Sequence, residues 1–312
     1  MAIDAQWANV KLLLSFRGPN NSTAIEDAKG LSVTVGGGAK LSTAQYPSGC
    51  TSSLVLDGNN DYLIVSSAGL AFGTGDFAIE IPVYKAGDTV TGNTNAAYIV
   101  DFRTAEPSVN VNIYVYGSAD ATKPNKVALY VNGADRIVST TSVGASWKNV
   151  TLARVSGVTR LFIDGVQEGG NYTDTNNYTS TVANISARHG ALSGDYRSFN
   201  GYFGPMRITV GNGRGYSANF TPPTLPFLQP TISGVVLDAS AAPVAKRVIA
   251  LKRSTQTVAG TALSDAGTGL YAIYPVDYSE HHVYRPDAST YPLVDGGSGE
   301  NALIYDRVIP GG

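Results

Sequence analysis

Two groups of residues in this chain have the types and spacing that binding chemistry requires. In the stretch GGNYTDTNNYTSTVAN (169–184), Tyr172, Asn176 and Tyr178 stand in an Asn/Thr-rich setting with no apolar period. A tyrosine supplies a ring face and a hydroxyl, and an asparagine supplies a donor and an acceptor side by side, a set that matches the CH faces and hydroxyls of a sugar. The missing period predicts a long exposed loop. Such a loop serves equally to contact a glycan, to pack on a neighbouring subunit or to have no partner. In DGNND (57–61), Asp57, Asn59 and Asp61 place short oxygen-bearing side chains at alternate positions, a donor set that suits Ca2+. The same residues are what a hairpin turn requires.

Other reactive residues are too dispersed to act together. The six glutamates lie far apart, and Asp76 with Glu80 is a carboxylate pair within one expected strand. Of the three histidines, His281 and His282 are adjacent, so on a strand they face opposite sides and do not share a site, and His189 is remote in sequence. The single cysteine, Cys50, has no base nearby in sequence and reads as an inert small side chain. The Gly211-Asn-Gly213-Arg-Gly215 run has the glycines of a phosphate loop, but no helix follows it, which leaves a turn.

The elements that must position these residues are strands. Period-two alternation is clearest in VNVNIYVY (109–116), where Val109, Val111, Ile113 and Val115 are expected to share a buried face. VALYV (127–131), VTLARV (150–155), TRLFID (159–164) and MRITV (206–210) repeat the pattern between Gly, Asn and Asp clusters. Asn132-Gly133 and Asp164-Gly165 stand between apolar runs and predict hairpin tips, because both residue types tolerate positive φ. Four prolines in TPPTLPFLQPT (221–231) predict an extended linker and a domain boundary. Beyond it, ISGVVLD (232–238), VAKRVIAL (244–251), LYAIY (270–274) and NALIYDRV (301–308) suffice for one small sandwich.

Composition bounds the function. The 312 residues carry 22 Lys and Arg against 24 Asp and Glu, a formal charge of −2 with only 15% charged residues, which removes the electrostatic basis for coating nucleic acid. With 43% hydrophobic residues the chain has enough apolar side chains for a sizeable core, and its length suggests two domains. One cysteine excludes an intramolecular disulfide. The N-terminal LLL run is too short for a signal core or membrane span, so synthesis in a reducing cytoplasm and no membrane insertion are expected.

SSLVLDGNNDYLIVSS (52–67), FGTGDFAIEIPVY (72–84), SWKNVTLARVSGVTRLFIDGV (146–166) and FNGYFGPMRITVGNGRGYSANFTPP (199–223) together resemble the laminin-G-like jelly roll of concanavalin-A-like proteins. The likeness is to the version in bacteriophage virion and tail proteins, which opens on a segment similar to LLLSFRGPNNST (12–23). One departure is Pro82, where the family's strand usually carries tryptophan; a proline there is expected at an edge or bulge. ISGVVLDASAAPVAKRVIAL and SDAGTGLYAIY resemble the transthyretin-like or carboxypeptidase-regulatory-like Ig-type sandwich, a structural accessory module without peptidase activity.

The resemblances imply an all-β chain: a jelly roll over 1–228 and an Ig-like accessory domain over 231–312, without catalytic residues. Concanavalin-A-like folds also host retaining glucanases, whose two carboxylates share one strand; the spread of glutamates here does not match that pattern. The implied function is that of a virion protein of the tail tip or tail fibre, in which the jelly roll binds a host surface polysaccharide and the second domain docks to other virion proteins. The alternative is a decoration or cement protein with no ligand. Unpaired strand edges such as 109–116 favour a homo-oligomer, and a trimer fits the tail analogy.

Overall fold

The structure, a computed structural model, describes residues 4–92, 94–104, 108–189, 197–237, 240–275, 281–286 and 301–308. The chain divides into two compact units, Ala8–Phe227 and a second one comprising Leu228–Gly312 together with Met1–Trp7. Among the described residues no helix is long and apolar enough to cross a membrane.

In the larger unit the strands are β1 (Val10–Leu14), β2 (Val33–Gly36), β3 (Lys40–Ser42), β4 (Ser53–Asp57), β5 (Tyr62–Ser66), β6 (Phe77–Gly87), β7 (Ala97–Asp101) and β8 (Asn112–Val115). They continue as β9 (Lys126–Val131), β10 (Ala134–Ser142), β11 (Lys148–Val155), β12 (Val158–Ile163), β13 (Val166–Thr173), β14 (Val182–Ile185), β15 (Asn200–Phe203) and β16 (Met206–Val210). One antiparallel sheet runs β13-β12-β11-β6-β15-β4-β3, with β16 and β1 continuing from β6; the other runs β10-β9-β8-β7-β14-β5-β2. Their facing sides share one apolar core, to which the first sheet contributes Ile79, Leu152 and Ile208 and the second Val100, Ile113 and Leu129. Each such side chain withdrawn from water contributes roughly 1.5–3 kcal/mol. The unit is an all-β, two-sheet sandwich, as the alternation predicts.

The hairpin tips stand where Asn-Gly and Asp-Gly place them, with φ of 49° and 77° at Asn132 and Gly133 and 51° and 77° at Asp164 and Gly165. Gly165 is also fixed by space, since a Cβ there would lie 1.9 Å from the Phe220 carbonyl oxygen. Its own carbonyl accepts from Phe220 N at 2.9 Å.

Three expectations are corrected. Residues 109–116 are not an exposed edge: β8 starts at Asn112 and is paired on both sides, with β7 and β9. Val111, Ile113 and Val115 enter the core, but Val109 lies ahead of the strand and is 38% exposed, because the ladder that would turn it inward has not begun. Second, Pro82 lies within the central strand β6, at neither an edge nor a bulge. On one side it faces Asn149 of β11, and on the other β6 changes partner, from β16 along Phe77–Glu80 to β15 along Val83–Gly87. The Pro82 carbonyl accepts from Gly204 N at 2.8 Å in the β15–β16 connection. The missing N–H therefore falls at the handover, where neither partner strand requires a donor. Third, the proline-rich segment is not a free linker up to the boundary: Phe227 is buried, with the Arg207 guanidinium 4.1 Å from its ring centre.

In the smaller unit, β17 (Ile232–Val235), β18 (Arg247–Lys252), β19 (Thr257–Leu263), β20 (Leu270–Ile273), β21 (His281–Pro286) and β22 (Asn301–Val308) form a β17-β20 pair and a β19-β18-β21-β22 sheet. Ile232, Val248, Tyr271 and Val283 fill the space between them.

Candidate functional site

Of the residues singled out in 169–184, Tyr178 belongs to the interior, and Tyr172 and Asn176 are half-buried. Strand β13 extends to Thr173, and beyond it Tyr178 is only 2% exposed, with its hydroxyl donated to Asp174 Oδ2 at 2.8 Å and its ring edge-on to Phe72 and Phe77. Arg154, fully buried, stacks 4.8 Å from the Tyr178 ring centre and donates to the carbonyls of Gly73, Gly75 and Asn176 at 2.7, 2.8 and 2.9 Å. Asn176 Nδ2 donates to Tyr172 Oη and to Asp174 Oδ1, both at 2.9 Å. Tyr172 is half-buried beneath the Arg136 guanidinium. The expectation of an exposed loop holds for Asn171, Thr173, Thr175, Asn177 and Thr179 and fails at Asp174 and Tyr178, which are drawn in beside Arg154, distant in sequence. Burial, reinforced by Asp174, pushes the Tyr178 phenol well above its ordinary pKa.

The DGNND turn is also self-satisfied. Asp61 is 2% exposed; one carboxylate oxygen accepts from Gly38 N and the other from Asp57 N at 2.9 Å, while Asp57 Oδ1 accepts from Asn59 N at 2.9 Å. These carboxylate oxygens hold a turn together by accepting from its backbone N–H groups. Among the described residues no three His, Cys, Asp or Glu side chains gather as a metal site. Glu80 is buried and accepts from Arg207 and Tyr216, and Asp76 Oδ1 accepts from Ser156 N. Burial pushes the Cys50 thiol up.

A different arrangement stands on the outer face of the second sheet, built from the side chains that the alternation turns away from the core. Cross-strand pairing lays out two rows. Tyr98 of β7, Tyr114 of β8 and Ala128 of β9 form one, and Asp101, Asn112 and Tyr130 form the other. With Tyr116 following β8, four tyrosines bound a cavity of about 320 Å3, whose lining also includes Arg103, Arg188 and Arg197. Ring centres of Tyr114 lie 5.8, 5.2 and 6.3 Å from those of Tyr98, Tyr116 and Tyr130.

Two networks hold these rings. Asp101 accepts from Arg103 Nε at 2.9 Å and Nη2 at 2.8 Å, and the guanidinium so fixed lies 5.8 and 5.4 Å from the Tyr98 and Tyr130 ring centres. Burial opposes the Arg103 charge, but Asp101 overcomes it and keeps the guanidinium above its ordinary pKa. On the other wall, Asp135 accepts from the hydroxyls of Tyr114 and Tyr116, and Lys123 Nζ reaches both Tyr116 Oη and Asp135 Oδ2 at 2.9 Å. Burial, then Asp135, pushes the Tyr114 and Tyr116 phenols up; Asp135 is itself lowered, because the hydrogen bonds from the two tyrosines and Lys123 outweigh its burial.

The signs set a pH window. A depressed carboxylate stabilises the fold above its unfolded pKa, near 3.9, and that contribution is lost as pH falls through the folded value. A raised phenol stabilises below its unfolded pKa, near 10, and its contribution is lost as pH rises through the folded value. Thermal melts are expected to be level between about pH 5 and 9 and to fall on both sides. Asp135→Asn should flatten the acid limb; an unchanged acid limb would show that Asp135 is not tied to the tyrosines.

Asn112 of β8 is among the lining residues. It is 1% exposed, and neither Nδ2 nor Oδ1 has a hydrogen-bond partner. Buried amides are nearly always paired, so a two-sided orphan that lines a cavity marks a place for a ligand group bearing both a donor and an acceptor. The lining has a strained element as well: Arg197 holds φ of 48°, rare for a residue with a Cβ, and its carbonyl accepts from Tyr98 N at 2.9 Å. The functional reading of the sequence missed every one of these residues. The available signal was the polar half of the alternation in β8, Asn112-x-Tyr114-x-Tyr116, repeated by Tyr130 in β9.

No protein-family model and no curated protein sequence matches this chain. Among solved structures, a mutant of Trypanosoma rangeli sialidase displaying trans-sialidase activity matches with a TM-score of 0.50 at 11% identity, over 70% of this chain and 33% of that one. Domain 4 of an extracellular GH43 arabinanase from Geobacillus stearothermophilus, in complex with arabinotriose, gives 0.48 at 13% identity, over 67% and 98% of the two chains. The receptor binding domain of botulinum neurotoxin D gives 0.47 at 12% identity, over 92% and 77%. At these identities the likeness to the sialidase chain, of which this chain spans a third, is one of β-sandwich fold.

Proposed function

We propose that residues 8–227 form a saccharide-binding module and that the tyrosine-walled cavity on the second sheet is its site. The observation that carries this reading is Asn112, an amide withdrawn from water with both polar atoms unmet in the lining of the cavity. A vicinal pair of sugar hydroxyls supplies one donor and one acceptor at the spacing of a primary amide. The rings of Tyr98, Tyr114, Tyr116 and Tyr130 supply apolar surface for the CH faces, and their fixed hydroxyls and neighbouring guanidiniums supply orientation. Because the rings are locked by Asp135 and Arg103 before any ligand arrives, little ordering cost remains at binding.

The setting we assign to this activity is adsorption of a bacteriophage virion to a host surface polysaccharide, with residues 228–312 docking to other virion proteins and the chain acting as a homo-oligomer. The segments that resemble phage virion jelly rolls support that setting. Calorimetric titration of the full chain against neutral and acidic oligosaccharides released from host envelopes tests the site. Tyr130→Ala, at a half-buried position, is expected to weaken binding by about 10- to 100-fold in a protein that still melts cooperatively. A full chain that binds none of these oligosaccharides removes the saccharide reading.

A further inference from the structure

Strand β6 sends Ile79, Ile81 and Val83 into the apolar core, and the alternation sends Lys85 the same way at the end of that row. Lys85 is only 5% exposed. Its Nζ donates to Asp88 Oδ1 at 2.6 Å and to Asn125 Oδ1 at 2.9 Å. Asn125 immediately precedes β9 of the second sheet, and its carbonyl accepts from Val143 N at 2.9 Å, which fixes its backbone there. Asp88, just beyond β6, is held by Ser118, whose N donates to Oδ1 at 2.9 Å and whose hydroxyl donates to Oδ2. A buried amine of the first sheet thus touches both a carboxylate and an amide that belongs to the second. An amine that gives up a proton is a nucleophile, an amide carbon is an acceptor for it, and a carboxylate in contact with the amine is a base for the proton. Fixed contact replaces the encounter that makes such an exchange slow in solution.

We propose that Lys85 and Asn125 join in an amide cross-link between the two sheets, with Asp88 carrying the protons. Nζ attacks Asn125 Cγ; the Nζ–Cγ bond forms and the Cγ–Nδ2 bond breaks. The lysine ammonium gives up two protons in becoming an amide nitrogen, Asp88 relays them to Nδ2, and Nδ2 leaves as ammonium. Asp88 ends ionised as it began, and no oxidant or cofactor is consumed. At rest the pair is ionic: burial opposes the Asp88 charge, but hydrogen bonds from Lys85 and Ser118 outweigh it and hold the carboxyl below its ordinary range. The first proton transfer is therefore uphill, and the bond forms slowly after folding. It closes a loop containing β7 and β8 and so restricts the unfolded chain, as any cross-link does.

Intact-mass spectrometry of the purified full chain, before and after prolonged incubation below its melting temperature, tests the cross-link. The chain is expected to end lighter than its sequence by one ammonia, and digestion should yield a branched peptide joining the Lys85 and Asn125 segments. Lys85→Arg, which keeps the charge, and Asp88→Asn should each stay at full sequence mass. Asn125→Asp should lose water in place of ammonia and end at the wild-type mass, because both routes leave the same amide. The branched peptide is read in the unaltered chain, so the result does not depend on a variant that folds. A chain that stays at full mass overturns the proposal, as does ammonia loss without the branched peptide, the mark of a succinimide at an Asn-Gly pair such as Asn132-Gly133. A branched peptide in Asp88→Asn overturns the part given to Asp88.

Discussion

Glu80→Ala is expected to destabilise the larger unit by about 3–5 kcal/mol, the range found when one member of a buried ion pair is removed and its partner charge is stranded. Glu80 sits in the middle of the first sheet, in register with Arg207 of β16. Its oxygens accept from Arg207 Nε at 2.7 Å, Arg207 Nη2 at 2.8 Å and Tyr216 Oη at 2.9 Å, and Arg214 Nε lies 3.4 Å away. Truncation leaves the buried Arg207 guanidinium, packed on Phe227, with no counter-charge in that network. Glu80→Gln keeps the shape and removes only the charge, so its loss should be smaller, and Tyr216→Phe should lose about 1 kcal/mol as a single hydrogen bond. Urea unfolding reads all three. A Glu80→Ala loss under about 1 kcal/mol would show that water reaches the pair and that the network is not a fastener.

Asn112→Leu is expected to separate binding from stability. Leucine keeps the branched heavy-atom outline of asparagine, with two methyl groups that the adjoining cavity can take up, and has no unmet polar atoms, so the unliganded protein should be as stable as before or gain up to about 2 kcal/mol. Saccharide affinity should fall at least about tenfold, because the hydroxyls that the amide served are buried against hydrocarbon. Most core substitutions lose stability and function together; a change that raises the melting temperature and removes binding identifies a group retained for its ligand. A marked loss of stability in Asn112→Leu would mean that the amide is already satisfied within the fold, and the site would lose its central argument.

The two sheets and the site differed in how far the sequence revealed them, for a physical reason. Alternation is a property of one strand, so the inward residues of β8 and β9 and the tips at Asn132-Gly133 and Asp164-Gly165 are readable from adjacent positions. The cavity is a property of register between strands. Tyr98 faces Tyr114, and Asn112 faces Tyr130, only once β7, β8 and β9 are paired, and a slip of one residue would turn the same side chains into the core. The segment 169–184 misled in part: its composition is that of an exposed loop, and half of its residues are exposed, but Tyr178 and Asp174 are buried against Arg154 of β11, which no local pattern announces. Pro82 follows the same logic, since a proline inside a central strand is tolerated only where the neighbouring strand changes, and no local pattern announces that handover.

Strand β8 has a consequence for how such a protein adapts. Its odd-numbered residues hold the sandwich together and its even-numbered ones meet the cavity, so the two sets answer to different selective pressures along a single stretch of chain. Mutation at one parity reshapes the cavity wall while the other preserves the scaffold. Drift in the chemistry of that wall therefore needs no redesign of the body that carries it.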